Sequence, residues 1–290
     1  MRLATIRTAS GTRAVRIDAG TAVETGESDL RGLLERPDWA AHAANAAGPV
    51  HPLDGLDYAP LVPSPEKIIC VGLNYRDHIL EMGNQPPSYP TVFAKFPPAL
   101  VGAYDDIELP AVSEQIDYEA ELTVVIGRPV RHANVEEAAA AIAGYTILND
   151  VSVRDWQTRT KQFLQGKTFQ HSTPLGPVLV TPDELPAGGL AISTALDGEV
   201  MQQSTTAELV FGPVDLVRYL STILTLNPGD VIATGTPGGV GHARKPPRYL
   251  TDGATLVTAI AGIGECRNVC RAETIDPEKL ETVLTNGKPA

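Results

Sequence analysis

Ile116-Asp117-Tyr118-Glu119-Ala120-Glu121-Leu122-Thr123-Val124-Val125-Ile126 is the stretch on which the reading of this 290-residue chain turns. Its β-branched second half predicts a strand, and its first half places carboxylates at alternate positions. Successive strand side chains point to opposite faces, so Asp117, Glu119 and Glu121 share one face while Tyr118, Ala120 and Leu122 share the other. Neighbouring carboxylates on that face sit roughly 7 Å apart at their Cα atoms, close enough for two of them to grip one cation. Two readings fit the segment by itself. Either the face holds a divalent ion that offsets the cost of burying like charges, or it is an edge strand with a solvated acidic face.

The composition narrows the partners. A formal net charge of −12 and a pI near 4.9 argue against nucleic acid or an anionic membrane, both of which need basic patches. An anionic substrate would then need locally supplied positive charge. Hydrophobic residues at 43% and charged ones at 20% describe an ordinary soluble globular chain. No apolar run approaches the roughly 20 residues that span a bilayer, and residues 1–7 lack the apolar core of a signal peptide. Cys70, Cys266 and Cys270 are an odd set with no partner spacing for zinc, which fits reduced thiols packed in strands and a cytoplasmic location.

Along the chain, residues 1–65 read as a small N-terminal α+β domain with its linker. Strands are expected at 3–8, 13–17 and 22–24, helices at 28–36 and 38–47, and a proline-rich loop at 48–65. A main domain spans 66–272. Strand 67–73 leads into a short helix over 74–83, strand 91–96 runs into Pro97-Pro98, and helix 134–143 precedes strand 145–148, which delivers Asn149-Asp150. Pro174-Leu175-Gly176-Pro177 reads as a rigid turn, Asp197-Gly198 as a hairpin, and Pro213 as the first turn of a helix. Residues 273–290 read as a surface tail. Many short strands between glycines and prolines, with few helices, indicate a mainly β core in a mixed α+β fold.

Glu119, Glu121 and Asp150 together would form an all-oxygen set suited to Mg²⁺, Mn²⁺ or Ca²⁺ rather than zinc, with Asp117 and Asp155 as further candidates. His78 and Glu81, three apart on a short helix, are either an acid–base dyad or a surface ion pair. Lys95, Arg154 and Lys167 lie in apolar or glycine-rich surroundings and could supply the missing positive charge. The loop Gly235-Thr236-Pro237-Gly238-Gly239-Val240-Gly241 matches no nucleotide motif, yet its backbone N–H groups could approach a carboxylate or an oxyanion. No G-x-S-x-G elbow is present.

Taken in order, six stretches resemble the fumarylacetoacetate hydrolase family: Cys70 to His78, Phe93-Ala94-Lys95, Asp117 to Leu122, Asn149 to Asp155, Gly166-Lys167-Thr168-Phe169 and Gly229 to Pro237. The resemblance implies a mixed β-roll flanked by helices, commonly assembled as a homodimer. It implies that Glu119, Glu121 and Asp150 ligate Mg²⁺ or Mn²⁺, that His78, Glu81 and Lys167 are catalytic, and that Tyr75, Lys95, Arg154, Gln157 and Thr236 line the site of a small 2-oxo acid. The expected reaction is hydrolytic C–C cleavage of an acylpyruvate such as fumarylpyruvate. The alternatives are decarboxylation of oxaloacetate, isomerisation of a dienedioate, or metal and ligand binding without turnover. Two departures bear on substrate choice: Gln170-His171, where many relatives carry an acidic residue, and Leu73, where some offer arginine. The segments 83–89 and 241–249 are candidate lids.

Overall fold

The computed structural model describes residues 1–81, 83, 85–276 and 278–281. At its centre runs the strand Ala120–Ile126, buried along its whole length. Such a strand needs apolar cover on both faces. On one face Val124 and Ile126, with Ile69, Val71 and Ile232, pack against Ala138 of the helix Val135–Ala141 and against Leu216, Val217 and Leu220 of the helix Pro213–Ile223. On the other, Val125 joins Cys70, Val231 and Ala233 in a cluster that includes Leu30, Leu33 and Leu34. Glu121 lies four residues before Val125 and so shares this second face.

Pairing carries the sheet outward in both directions. Ala120–Ile126 runs antiparallel to Ile142–Asn149, with Ala120 opposite Asn149, and antiparallel to Val231–Ala233, with Thr123 opposite Ala233. Beyond Val231–Ala233 come the parallel strand Ile68–Gly72 and the antiparallel Thr91–Lys95. Beyond Ile142–Asn149 come Thr173–Val180, Arg2–Thr8, Gly11–Asp18, Thr21–Glu24 and Val50–Pro52. The strands of residues 1–65 therefore extend the sheet of the following residues, with Leu3 opposite Leu179. A second sheet, ordered Glu199–Thr205, Ala191–Leu196, Thr255–Ile260, Gly264–Ala272 and Ile107–Leu109, closes over the first. Asn149 Nδ2 donates to Thr258 Oγ1 across the two, at 2.9 Å.

Local chemistry explains most boundaries. Asn134 caps the helix Val135–Ala141 through a reciprocal box with Glu137, and Pro213 opens Pro213–Ile223 at its first turn. Asp197 and Gly198 both take positive φ, as a tight hairpin between antiparallel strands requires. All three cysteines are buried, and they lie in the strands Ile68–Gly72 and Gly264–Ala272.

Three expectations are corrected. Residues 174–177 are part of the strand Thr173–Val180, not a turn, because Leu175 and Gly176 pair with Leu148 and Ile147. Helix 134–143 ends at Ala141, since Ile142 already begins the next strand, and Val135 is exposed rather than packed. The acidic stretch is two strands, not one. Ile116–Asp117 pairs with Ser152–Val153, whereas Ala120–Ile126 belongs to the main sheet. At the break, Tyr118 N donates to Asp117 Oδ1 and Glu119 N to Asn149 Oδ1, so side chains take the place of ladder partners. Of the expected tail, residues 277 and 282–290 lie outside the described residues, as do Met82 of the expected helix 74–83 and Asn84 of the first candidate lid. Among the described residues no helix is long and apolar enough to cross a membrane.

Candidate metal centre

Strand pairing assembles the carboxylates. The Asp150 amide donates to the Glu119 carbonyl at 2.8 Å, which sets the end of Ile142–Asn149 against the start of Ala120–Ile126. Glu119, Glu121 and Asp150 are buried, and ligand oxygens from all three lie within 4.8 Å of one another.

Three cations meet this cluster. Lys167 Nζ lies 2.7 Å from both Glu119 Oε2 and Asp150 Oδ2. Lys95 Nζ lies 2.7 Å from Asp150 Oδ1 and donates to the Val151 carbonyl at 3.1 Å. The Arg154 guanidinium bridges Asp117 Oδ2 and Glu119 Oε1, each at 2.7 Å. Burial would raise the Glu119 carboxyl, but Lys167 and Arg154 outweigh it and hold the group down to about 2. Burial would likewise lower Lys167, yet Asp150 and Glu119 push it up to about 12. Glu121 is different. It accepts one hydrogen bond, from the Gly235 amide at 2.7 Å, and among the described residues no cation pairs with it. Burial, then Asp150 and Glu119, drive its carboxyl well above the ordinary range. A buried carboxylate without a counter-charge, completing an all-oxygen set of three, fits a hard divalent cation such as Mg²⁺ or Mn²⁺.

The glycine loop faces the protein's own carboxylates. Gly235 donates to Glu121, Gly239 to both oxygens of Glu81 at 3.1 Å, and Gly241 to Asp117 Oδ1 at 2.7 Å. Gly235 and Gly239 sit at φ +104° and +97°, where a side chain is strained, and a Cβ at Gly241 would collide with the Arg248 carbonyl. Asp117, whose Oδ2 also accepts from the His242 amide at 2.9 Å, is therefore no ligand but a hub between Arg154 and this loop.

A cavity of about 410 Å³ opens beside the cluster. His78, Glu119, Glu121, Arg154, Gln157, Lys167 and Thr236 all reach its wall, together with Val71, Phe93, Phe163 and Val240. The helix Arg76–Glu81 brings buried His78 to the cavity wall, and its Nδ1 lies 3.3 Å from Oε2 of Glu81, which is exposed behind it. Gln157 Oε1 accepts from Arg154 NH1 at 2.9 Å, and Gln202 Nε2 donates to Thr236 Oγ1 at 2.9 Å.

Two expected substrate contacts lie elsewhere. Tyr75 is fully buried in the apolar cluster with Ala120, Leu122 and Leu209, because its backbone bridges to Leu209 and turns the ring inward. Lys95 is buried behind Asp150 and supports that residue without reaching the wall. His171 does not enter the cavity either; it is exposed, 3.3 Å from Glu108, with Gln170 beside it. Asn149, Gln202 and His242 were not singled out by sequence. Asn149 adjoins Asp150 and could have been suspected, whereas Gln202 and His242 carry no local signal.

Residues 67–271 match the family model described as fumarylacetoacetate (FAA) hydrolase C-terminal. The chain belongs to the fumarylacetoacetate hydrolase family. The mitochondrial oxaloacetate tautomerase Fahd2a of Rattus norvegicus is 44% identical over 238 residues, which cover 80% of this chain and 76% of that protein. Among solved members of the family, the fumarylacetoacetate hydrolase of the psychrophile Exiguobacterium antarcticum superposes with a TM-score of 0.85 at 33% identity, over 94% of this chain and all (100%) of that one. A 5-carboxymethyl-2-hydroxymuconate delta-isomerase from Mycobacterium smegmatis gives 0.80 at 33% identity, over the same 94% and 100%. The β-roll expected for the family is the architecture observed, and the chain is a member of an enzyme family.

Proposed function

We propose that the protein interconverts the enol and keto forms of a 2-oxo dicarboxylate, with oxaloacetate the first substrate to test. The observation that carries this reading is His78, backed by Glu81 at 3.3 Å, on the wall of the cavity that Glu119 and Glu121 of the carboxylate triad also reach. Tautomerisation moves one proton between C3 and the oxygen on C2, so a single group that takes it from one and returns it to the other suffices, and no attacking water is needed. With Nδ1–H donated to Glu81, His78 keeps its Nε2 lone pair free to take or return that proton. Glu81 is fixed in turn by the Gly239 amide, so the imidazole has one orientation. Gln157 and Thr236 offer polar groups to the substrate's oxygens, and the apolar wall limits water around the developing charge. When bound by Glu119, Glu121 and Asp150, a divalent ion supplies Lewis acidity that stabilises negative charge on the 2-oxo acid. The tautomerase relative, with most of its own length covered, supports the same choice. By family resemblance, the reading carries Mg²⁺ or Mn²⁺ as the ion and a homodimer as the assembly.

Hydrolysis of acylpyruvates is the second reading, and one feature favours it. The cavity of about 410 Å³, with Phe93 and Phe163 in an edge-to-face pair on its wall, is roomier than a four-carbon diacid needs. The same His78 could then activate water. Purified protein with Mg²⁺ should be assayed side by side for oxaloacetate tautomerisation, oxaloacetate decarboxylation and pyruvate release from acylpyruvates. Faster tautomerisation than Mg²⁺ alone, with little pyruvate from either substrate, is the expected pattern. Pyruvate release from acylpyruvates without tautomerisation would replace the first reading by the second.

A further inference from the structure

Resting on that reading of the site, we propose that His242 is a specificity-determining residue that donates from Nε2 to the substrate's distal carboxylate, the end remote from the 2-oxo acid. Both cations of the cavity wall are already engaged by protein carboxylates, Arg154 by Asp117 and Glu119, Lys167 by Glu119 and Asp150. Much of the remaining wall is apolar. A second carboxylate buried there without a donor would lose its hydration for nothing in return. His242 is the ring donor left over at the mouth, exposed to solvent yet lining the cavity.

Its placement is built from both sides. Its amide donates to Asp117 Oδ2 at 2.9 Å, on the same carboxylate that holds Arg154, and the preceding Gly241 amide donates to Oδ1 at 2.7 Å. Its ring Nδ1 lies 2.8 Å from the Tyr249 hydroxyl, with the rings 6.3 Å apart at 33°. That hydroxyl meets no other polar partner among the described residues, and in the tautomer inferred here it donates its proton to Nδ1. The ring proton then sits on Nε2, which meets no acceptor of the protein among those residues. Tyr249 is thus a positioning residue that fixes the tautomer in which His242 can donate.

The test uses the full chain loaded with Mg²⁺ and compares His242→Ala, His242→Gln and Tyr249→Phe. Oxalate, which imitates the 2-oxo acid end alone, is titrated by calorimetry. Oxaloacetate, which carries the distal carboxylate, is read by KM and by competition against oxalate. His242→Ala should weaken oxaloacetate at least about tenfold, the size of one hydrogen bond to a charged group, with kcat and oxalate affinity little changed. His242→Gln, which keeps an N–H donor, should recover most of the loss, and Tyr249→Phe should show a smaller loss in the same direction. Unchanged oxaloacetate affinity in His242→Ala, or an equal loss for oxalate, overturns the proposal. Because oxaloacetate is also read by competition against oxalate, a protein inactive on oxaloacetate would refute the functional reading without removing this comparison.

Discussion

Among the described residues Glu121 takes a single hydrogen bond, from Gly235 at 2.7 Å, while Glu119 is gripped by Lys167 and Arg154. Two carboxylates at the start of one strand thus have opposite electrostatics, one compensated by lysine and arginine and one with no cation paired to it among the described residues.

This asymmetry sets the response to metal. A group whose folded pKa is raised destabilises the metal-free fold at neutral pH, since the unfolded chain ionises it freely. Glu121→Gln should therefore leave the metal-free protein as stable as the wild type or more so. It should also abolish the stabilisation by Mg²⁺, which for the wild type reaches about 2.7 kcal/mol at a hundredfold excess over Kd. Thermal melts with Mg²⁺ and with chelator measure both effects, and a substantial fall in metal-free melting temperature would count against the assignment.

Asp117 supports the cavity wall from outside the group formed by Glu119, Glu121 and Asp150. Its side chain is fully buried, it pairs with Arg154 at 2.7 Å, and it accepts from Gly241 and His242. Removing one partner of a buried pair costs about 3–5 kcal/mol, so Asp117→Ala should lose that much in urea unfolding. Its Mg²⁺ affinity should fall far less than that of Glu119→Gln.

The Glu81 carboxyl is lowered from its ordinary 4.5, first by the hydrogen bond with His78, against burial, and then by the Gly239 amide. A lowered folded pKa contributes stability that is fully present above 4.5 and lost as pH falls through the folded value. The melting-temperature gap between wild type and Glu81→Gln should therefore be present at about pH 5.5 and close in stronger acid. A gap that closes already near neutrality would show that Glu81 is not held in this way.

Much of the site was legible in sequence, for identifiable reasons. The β-branched run after Glu121 marked the central strand, and Asn149-Asp150 at the end of its partner marked the third carboxylate. What escaped was whatever depended on distant backbone. The role of Asp117 is set by amides at residues 241 and 242, more than a hundred residues away, and by a strand break that side chains induce at Tyr118 and Glu119. The glycine loop could be read as a set of free N–H groups, but not as donors to Glu121, Glu81 and Asp117. Lys95 and Tyr75 carried motif positions that say nothing of side-chain direction, and the fold turned one behind Asp150 and the other into the core. The prolines at 174 and 177 suggested a turn, yet pairing with Leu148 and Ile147 kept the segment in the sheet.

His78 is proposed to move the C3 proton within a site organised by Glu119, Glu121 and Asp150. Deuterium uptake at C3 of oxaloacetate, followed by NMR in deuterated buffer with Mg²⁺, tests it most directly. Wild-type protein should exceed the rate with Mg²⁺ alone, and His78→Ala should fall about 10²-fold or more toward that rate while still binding oxalate. Exchange by His78→Ala at the wild-type rate would contradict it.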